Sequence, residues 1–463
     1  MLKGKSVIEL TDVRTKEKEV YEDENLITNA VPDILRLNPS GLMYPLHSSG
    51  EAEFKDEIFP VANRLYGGIL LFENPLEEDP NNIIPPSDNS IIGYASDNVN
   101  STDNPLRGSA NLTETVPLED GYKFVWDFST SQANGRIASL ALTHYRAGRF
   151  YYGNKFNRNA CLLLNRTYLD VNKETQRAYI GLVEGNPTDN TFISLWPREN
   201  KSLEIIKFKE AYSSIGLTDS VLGSRFQEIE KTTIDLTEYY GDFYYWYDGN
   251  FYDGKDGYWY GFLTKSNYNS GLIRRIKINK KDYSTQVDQW DLNDVRLYDL
   301  GSYPSSDSDN VYRSIGSVIK DGYLYAINRD RKRIYKININ NPVDISYMEL
   351  GFKSDFSQGG NTYNYLYQWG DHILGYDFNI TKDDKIIKNY GKDHSGTPFN
   401  YVRTPTIEMG PFRIGYGIYS GTLYKCLYLH TPYLGTINNL SSPILKTADK
   451  TMKITYTLTE TED

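Results

Sequence analysis

Three segments near the two ends of the chain alternate between apolar and polar residues. SVIELTDVR precedes the polar turn TKEK, and EKEVYEDENLI begins within that turn and continues beyond it. The third segment, TMKITYTLTE, covers Thr451–Glu460. A period of two is typical of β-strands, and strands with unpaired edges tend to pair with one another. We therefore expect Lys453–Leu458 to join Val7–Leu10 and Glu19–Tyr21 in one small sheet.

The stretch that follows the first hairpin has a different pattern. TNAVPDILRLN predicts a short helix capped by Thr28 or Asn29. From Pro39 to about Leu118 the chain is dense in Pro, Asn, Asp and Ser, which indicates irregular structure with short strands such as GGILLF at Gly67–Phe72. We expect residues 1–120, joined by the terminal strand in 445–463, to form a small β-rich domain.

From residue 121 onward, strands and polar turns recur in six units. Their middle strands are centred near Ile137, Thr191, Tyr258, Tyr323, His372 and Thr422, at steps of 49 to 67 residues. Repeats of ~40–50 residues with about four strands each are typical of β-propeller blades. Residues 121–444 are thus predicted to form a β-propeller-like domain of about six blades. The longer steps between units are expected to hold loop insertions such as QVDQWDLNDVRLYDLGSYPSSDSDN. A pair of β-sandwiches is the alternative fold.

Composition supports the all-β fold class. The 463 residues include 40 Tyr, 18 Phe and 6 Trp, residues that suit a pleated, half-buried surface, and 36 Gly for turns. The densest aromatic run is FYYWYDGNFYDGKDGYWY, from Phe243 to Tyr260. Its rings either stack on sugar faces or pack between strands. Trp246, Tyr258 and Tyr260 are predicted to lie on strands, which favours packing, whereas Tyr252 is the ring expected to be exposed, and only the tip at Gly249–Gly257 is left as a candidate ligand contact.

Charge and hydropathy limit the partners. The net charge is −11 and the pI about 5.2, without a Lys/Arg-rich run, which argues against nucleic acid as a partner. Neither an apolar segment of the secretory type nor a membrane-spanning stretch is present, so we expect synthesis in the cytoplasm and no membrane insertion. Cys161 and Cys426 are expected to be free buried thiols.

The sequence contains no recognisable catalytic or metal-binding motif. The five histidines lack the spacing of a helical zinc site, and G-x-S-x-G and P-loop motifs are missing. DGNFYDGKDG (Asp248–Gly257) and SSDSDN (Ser305–Asn310) only superficially resemble calcium loops, since the sixth position from Asp248 is Asp253 rather than glycine. We therefore predict no enzyme, no cofactor and no metal, and assign no ligand-binding residue; a carboxylate pair for glycan hydrolysis stays as a minor alternative.

Several quoted segments resemble tail proteins of phages that infect Gram-positive bacteria. The amino-terminal IELTDVRTKEKEVYEDENLITNAV carries this resemblance, together with GGILLFENPLEEDPNN, RGSANLTET, FVWDFSTSQANGRIASLALTH and the carboxy-terminal INNLSSPILKTADKTMKITYTLTE. These segments cover the two ends and about the first third of the chain, and the turn RTKEK departs from the usual pattern, which has a glycine.

The resemblance implies a structural protein at the distal end of a phage tail or of a phage-derived tail-like bacteriocin. It would be assembled in the host cytoplasm, released by lysis and present in several copies, in contact with other tail or baseplate proteins. On this basis we expect the chain ends to anchor the protein while the propeller-like domain binds a host cell-wall glycan or another receptor. The alternatives are a purely structural baseplate or collar subunit and, less favoured, a glycan-degrading depolymerase.

Overall fold

The chain divides into two units. The computed structural model describes residues 2–37, 66–145, 147, 161–168, 178–179, 181–186, 191–198, 200–210, 226–241, 251–265, 271–298, 312–354, 366–375, 377–388, 407–419 and 422–460. Unit 1 comprises Met1–Asn165, Gly410–Phe412 and Tyr428–Asp463, and unit 2 comprises Arg166–Met409 and Arg413–Leu427. Residues 121–165, 410–412 and 428–444, which the sequence analysis placed in the propeller-like domain, therefore lie in unit 1.

Unit 1 is built on one large sheet. Its strands are β1 (Leu2–Asp12), β2 (Lys18–Ile27), β3 (Gly68–Phe72), β4 (Ile91–Ala95), β5 (Ser109–Ala110), β6 (Val116–Pro117), β7 (Gly121–Phe128), β8 (Gly135–Thr143), β30 (Thr436–Lys446) and β31 (Lys450–Glu460). They are ordered β4-β3-β8-β30-β2-β1-β31-β7-β5, and β6 also pairs with β7. One helix, α1 (Ala30–Leu37), follows β2, and the Thr28 hydroxyl accepts the Ala30 N–H at 3.3 Å before its first turn.

The strands from the two ends of the sequence pair as expected. Strand β1 pairs with β2 on one side, where Ile8 lies opposite Tyr21, and with β31 on the other, where Ile8 lies opposite Ile454. Alternate side chains of β31 are buried, from Met452 to Leu458, while the threonines between them are half-buried. The period of two in the sequence thus reports one buried face, as it does in most antiparallel sheets.

This sheet nearly closes on itself. At its first edge, Tyr94 of β4 forms a parallel bridge with Arg107. The Tyr94 N–H donates to Leu106 O at 2.9 Å, and the Tyr94 carbonyl accepts the Gly108 N–H at 2.8 Å. Residue 109 then starts β5, the strand at the other edge. Closure leaves fewer backbone groups at open edges, which limits unwanted strand pairing.

Unit 2 is a five-bladed β-propeller. Blade 1 contains β10 (Leu182–Asn186), β11 (Thr191–Pro197), β12 (Ser202–Glu210) and β13 (Phe226–Asp235); blade 2 contains β14 (Phe251–Asp253), β15 (Tyr258–Lys265), β16 (Leu272–Asn279) and β17 (Thr285–Asp291), with β18 (Tyr312–Ser314) paired to β15. Blade 3 contains β19 (Ser317–Lys320), β20 (Tyr323–Ile327), β21 (Arg333–Asn338) and β22 (Ile345–Glu349), and blade 4 contains β23 (Tyr367–Trp369), β24 (His372–Leu374), β25 (Phe378–Ile380) and β26 (Ile386–Lys388). Blade 5 is ordered β27 (Ile407–Met409), β28 (Phe412–Tyr419), β29 (Thr422–His430) and β9 (Cys161–Tyr168), and the boundary between the units falls within its last three strands.

The blades form a ring around their first strands. Strand β10 neighbours both β14 and β27, β14 neighbours β19, and β19 neighbours β23, so the first blade meets the fifth. Apolar cores lie between successive blades: one joins blades 1 and 2, a second joins blades 2 and 3, and a third joins blades 3 and 4. The chain closes the ring because β9, which precedes blade 1 in sequence, supplies the outermost strand of blade 5.

The propeller fold is confirmed, with five blades where about six were expected. The predicted first unit consists of β7 and β8, and both pair within the unit 1 sheet. Four of the remaining predicted middle strands are the second strands of blades 1 to 4. They are the strands near Thr191, Tyr258, Tyr323 and His372. The predicted insertion also differs, because its first residues form β17.

Tight turns inside the blades follow the local sequence. In blade 3, Asp321 and Gly322 connect β19 to β20 with φ values of 51° and 76°. Positive φ at both central residues is the geometry of a type I′ hairpin turn, for which Asp-Gly is a preferred pair. The short helix α2 (Thr237–Tyr240) follows blade 1. No helix among the described residues has the length and apolar character needed to cross a bilayer.

Candidate functional site

The aromatic run contributes the first hairpin of blade 2. Phe251–Asp253 is β14, Tyr258 opens β15, and the turn between them is held by the Gly254 N–H bonding to Tyr258 O at 3.0 Å. Lys255 and Gly257 have φ values of 60° and 92° in this turn. Residues 243–250, including Trp246 and the first part of the predicted tip, lie outside the described residues.

Most rings in the described part of the run are buried between blades. Phe251 and Trp259 belong to the core between blades 1 and 2, and Tyr252 and Tyr260 to the core between blades 2 and 3. The prediction that Tyr252 is exposed is wrong, because only 6% of it is accessible and its hydroxyl lies 3.0 Å from both Ser317 O and Oγ. Since β14 is an inner strand of the propeller, its side chains face the neighbouring blades.

The polar groups around these rings also serve packing. The Tyr260 hydroxyl donates to Asp256 Oδ2 at 2.6 Å, and burial, reinforced by that carboxylate, raises the pKa of Tyr260. The Lys277 ammonium lies 3.9 Å from the centre of the Tyr258 ring. Blade 3 repeats this arrangement, with Lys336 4.8 Å from the Tyr323 ring. These cation–π contacts are a recurring structural feature of the blades.

A half-buried ion cluster joins blades 1 and 2. Lys280 Nζ lies 2.5 Å from Glu184 Oε1 and 2.6 Å from Asp253 Oδ1, and Trp259 Nε1 donates to the same Glu184 oxygen at 2.5 Å. Burial alone would raise the pKa of Asp253, but its bonds to Lys280 and Lys255 hold that pKa below the usual value. Burial alone would likewise lower the pKa of Lys280, and its two carboxylate partners raise it instead. Asp253 and Lys280 are therefore both charged near pH 7 and neutralise each other, which suits a structural role.

A cavity of about 410 Å³ lies within unit 2. Apolar side chains line it from the end of β13, from the residue that follows it and from β16 and β17: Ile234, Leu236, Ile276 and Val287. Its polar wall consists of two carboxylates, Asp235 and Glu238, and two hydroxyl side chains, Ser284 and Thr285. A concave site with an apolar base and a few polar groups is the usual form of a small-molecule binding site.

Two tyrosines complete the cavity. Tyr239, on α2, is buried, and its carbonyl accepts a 2.8 Å bond from Arg274 Nη1. Tyr283 lies in the turn between β16 and β17 with a φ of 59°, its ring stacked on Trp259 at 6.2 Å and 13°. Its hydroxyl donates to Glu230 Oε1 at 2.8 Å, and burial, together with that carboxylate, raises the pKa of Tyr283 to about 12. The ring is thus held in a fixed position at the wall of the cavity.

The cavity was not identified from the sequence. The predicted tip contributes exposed residues at Lys255, Asp256 and Gly257 but none of the cavity lining. Ser305–Asn310 lies outside the described residues. Within the described parts of the chain, no group of three or more His, Cys, Asp or Glu side chains is arranged to hold a metal ion.

Neither a protein-family model nor a curated protein matches the sequence. Among solved structures, the chain is similar to a protein in a nidogen/laminin complex, with 8% identity, a TM-score of 0.27 and coverage of 71% of this chain and 96% of that one. It is also similar to apo AztD from Citrobacter koseri, with 11% identity, a TM-score of 0.25 and coverage of 86% and 97%. Hsv2 from Kluyveromyces lactis is 12% identical with a TM-score of 0.21, covering 50% of this chain and 69% of that one. At TM-scores this low, the similarities carry no argument about function.

Proposed function

We propose that this chain is a non-enzymatic structural protein of a phage tail or of a phage-derived tail-like bacteriocin. Unit 1 attaches the protein to other tail or baseplate proteins, and the propeller of unit 2 binds a glycan on the surface of a Gram-positive host. Several copies on one particle bind at once, so contacts that are weak individually give strong attachment together.

The distribution of the tail-like segments carries this proposal. All of the segments that resemble phage tail proteins fall in unit 1, from the first hairpin through β7 and β8 to β30 and β31. Segments distant in sequence therefore form one sheet, which is the arrangement expected of a shared attachment module. Unit 2 lacks such segments and contains the cavity, as expected of a module adapted to a particular ligand.

Immunogold electron microscopy tests the position of the protein. An antibody against the protein is applied to particles produced by the strain that encodes it, with pre-immune serum as the control. The proposal predicts gold at one end of the tail. Absence of the protein from purified, washed particles would contradict it.

The purely structural alternative has its own support, because most of the described rings of the aromatic run are buried. It predicts labelling at the tail together with no binding of the purified protein to host walls. Release of reducing ends from host walls would instead indicate a depolymerase.

A further inference from the structure

We propose that the cavity between blades 1 and 2 binds a neutral sugar residue, with Tyr283 as its stacking surface and Glu238 as its principal hydrogen-bond acceptor. This inference rests on the proposed function, because it names the site and the ligand class of the glycan-binding propeller.

The charge of the cavity selects against acidic ligands. Its described lining contains the carboxylates of Asp235 and Glu238 and no Lys, Arg or His side chain. The guanidinium of Arg274, which reaches the lining residue Tyr239, is bonded to that residue's carbonyl. A phosphate or a uronic acid would place a negative charge beside two carboxylates without a compensating cation, which is unfavourable.

The same carboxylates suit the hydroxyl groups of a sugar. Within the described residues, Glu238 forms neither a hydrogen bond nor an ion pair. Asp235 uses Oδ1 to accept the N–H and hydroxyl of Thr237, at 3.2 and 2.7 Å, which leaves Oδ2 to face a ligand. Hydrogen bonds from hydroxyl donors to charged acceptors are among the stronger ones in proteins.

Tyr283 supplies a rigid aromatic surface. Its ring is fixed through the stack on Trp259 and through the hydroxyl bond to Glu230, so little conformational freedom is lost when a ligand binds. With Ile276 and Val287 beside it, the ring offers apolar area to the C–H face of a sugar while the carboxylates bind its hydroxyls.

Binding assays with the full chain test this inference. The probes are two fractions of Gram-positive cell wall, a neutral polysaccharide and a phosphate-containing polymer, each titrated calorimetrically. We expect the wild-type protein to bind the neutral fraction. Glu238→Gln should weaken that binding about tenfold through loss of a charge-assisted hydrogen bond, and Tyr283→Ala should weaken it roughly tenfold through loss of stacking.

A conservative variant and a control variant separate binding from folding. Tyr283→Phe keeps the ring but loses the hydroxyl bond to Glu230, so it should weaken binding less than Tyr283→Ala does. Tyr347→Ala removes an exposed ring from the outer strand of blade 3 and should bind as wild type does. Glu238 is exposed and makes no described contact, so its variant should fold normally even if Tyr283→Ala does not. Asp235 is a poorer choice because it also fixes the start of α2.

The outcomes distinguish this inference from the proposed function. Neutral-fraction binding that Glu238→Gln and Tyr283→Ala leave unchanged would overturn the assigned cavity and keep the glycan-binding propeller. Binding to the phosphate-containing polymer alone would overturn the ligand class. Binding to neither fraction would overturn both the glycan-binding function and the inference.

Discussion

Replacing Ile454 by alanine tests whether β31 is an interior strand of the unit 1 sheet. Ile454 is fully buried and lies opposite Ile8 of β1 and Trp126 of β7, which are also buried. Truncation of a buried isoleucine removes transfer free energy and leaves a cavity, at a combined cost of about 2–5 kcal/mol. Thr457, three residues along the same strand, is half-buried on the opposite face, so Thr457→Ala should cost no more than about 0.5 kcal/mol.

Hydrogen exchange read by mass spectrometry measures the effect strand by strand. Each 1.4 kcal/mol changes an equilibrium constant tenfold. Where exchange requires unfolding of unit 1, Ile454→Ala should therefore speed exchange in β1, β7 and β31 by roughly 30-fold to several-thousand-fold. Thr457→Ala should leave these rates within about threefold of wild type. Unchanged exchange in Ile454→Ala, or equal acceleration in both variants, would refute the claim that the two ends of the sequence share one buried sheet.

Three further changes test other parts of the structure. Tyr252→Phe should lower the unfolding free energy of unit 2 by about 1 kcal/mol, because it loses the hydroxyl bond to Ser317, and chemical denaturation measures this change. The same variant should leave binding to cell walls unchanged in a pull-down assay. Gly121→Ala should destabilise unit 1 by about 1–3 kcal/mol in thermal unfolding, because a Cβ there would lie 1.9 Å from Leu458 O, whereas wild-type behaviour would show that the strand shifts freely. Burial lowers the pKa of Lys446 from 10.5 to about 8, so between these pH values the unfolded state binds more protons than the folded state. Unit 1 should therefore become more stable as the pH rises from 7.5 to 9.5. The urea midpoint of unfolding should show this rise in the wild type and a smaller rise in Lys446→Met.

The sequence predicted the sheet of the chain ends because the pattern is local and strong. In β1 and β31 buried positions alternate with more exposed ones, from Gly4 to Leu10 and from Met452 to Leu458, so both the strand type and the buried face follow from a local pattern. Pairing partners are harder to read. Strands β7 and β8 have the same hairpin pattern as the blade strands, and only long-range pairing with β31, β3 and β30 places them in unit 1.

The exposed state predicted for Tyr252 shows a second limit. Phe251–Asp253 is only three residues long and is flanked by Asn250 and Gly254, so turn residues dominate the pattern and conceal an inner strand. Burial there comes from the neighbouring blades, which no local pattern encodes.

The cavity could not be predicted for a related reason. Its lining comes from residues 234–239, at the end of β13 and in α2, and from residues 276–287, in the turn and strands of blade 2. No motif links Glu238 to Tyr283. Their proximity follows from the packing of two adjacent blades.

Binding of this chain to host cell walls tests the central claim most directly. Walls freed of protein are compared before and after periodate oxidation, which cleaves vicinal diols of sugars and leaves the peptide cross-links of the wall in place. A glycan-binding propeller predicts saturable binding to intact walls that is lost after oxidation. Absence of binding, or binding that oxidation leaves unchanged, would contradict it.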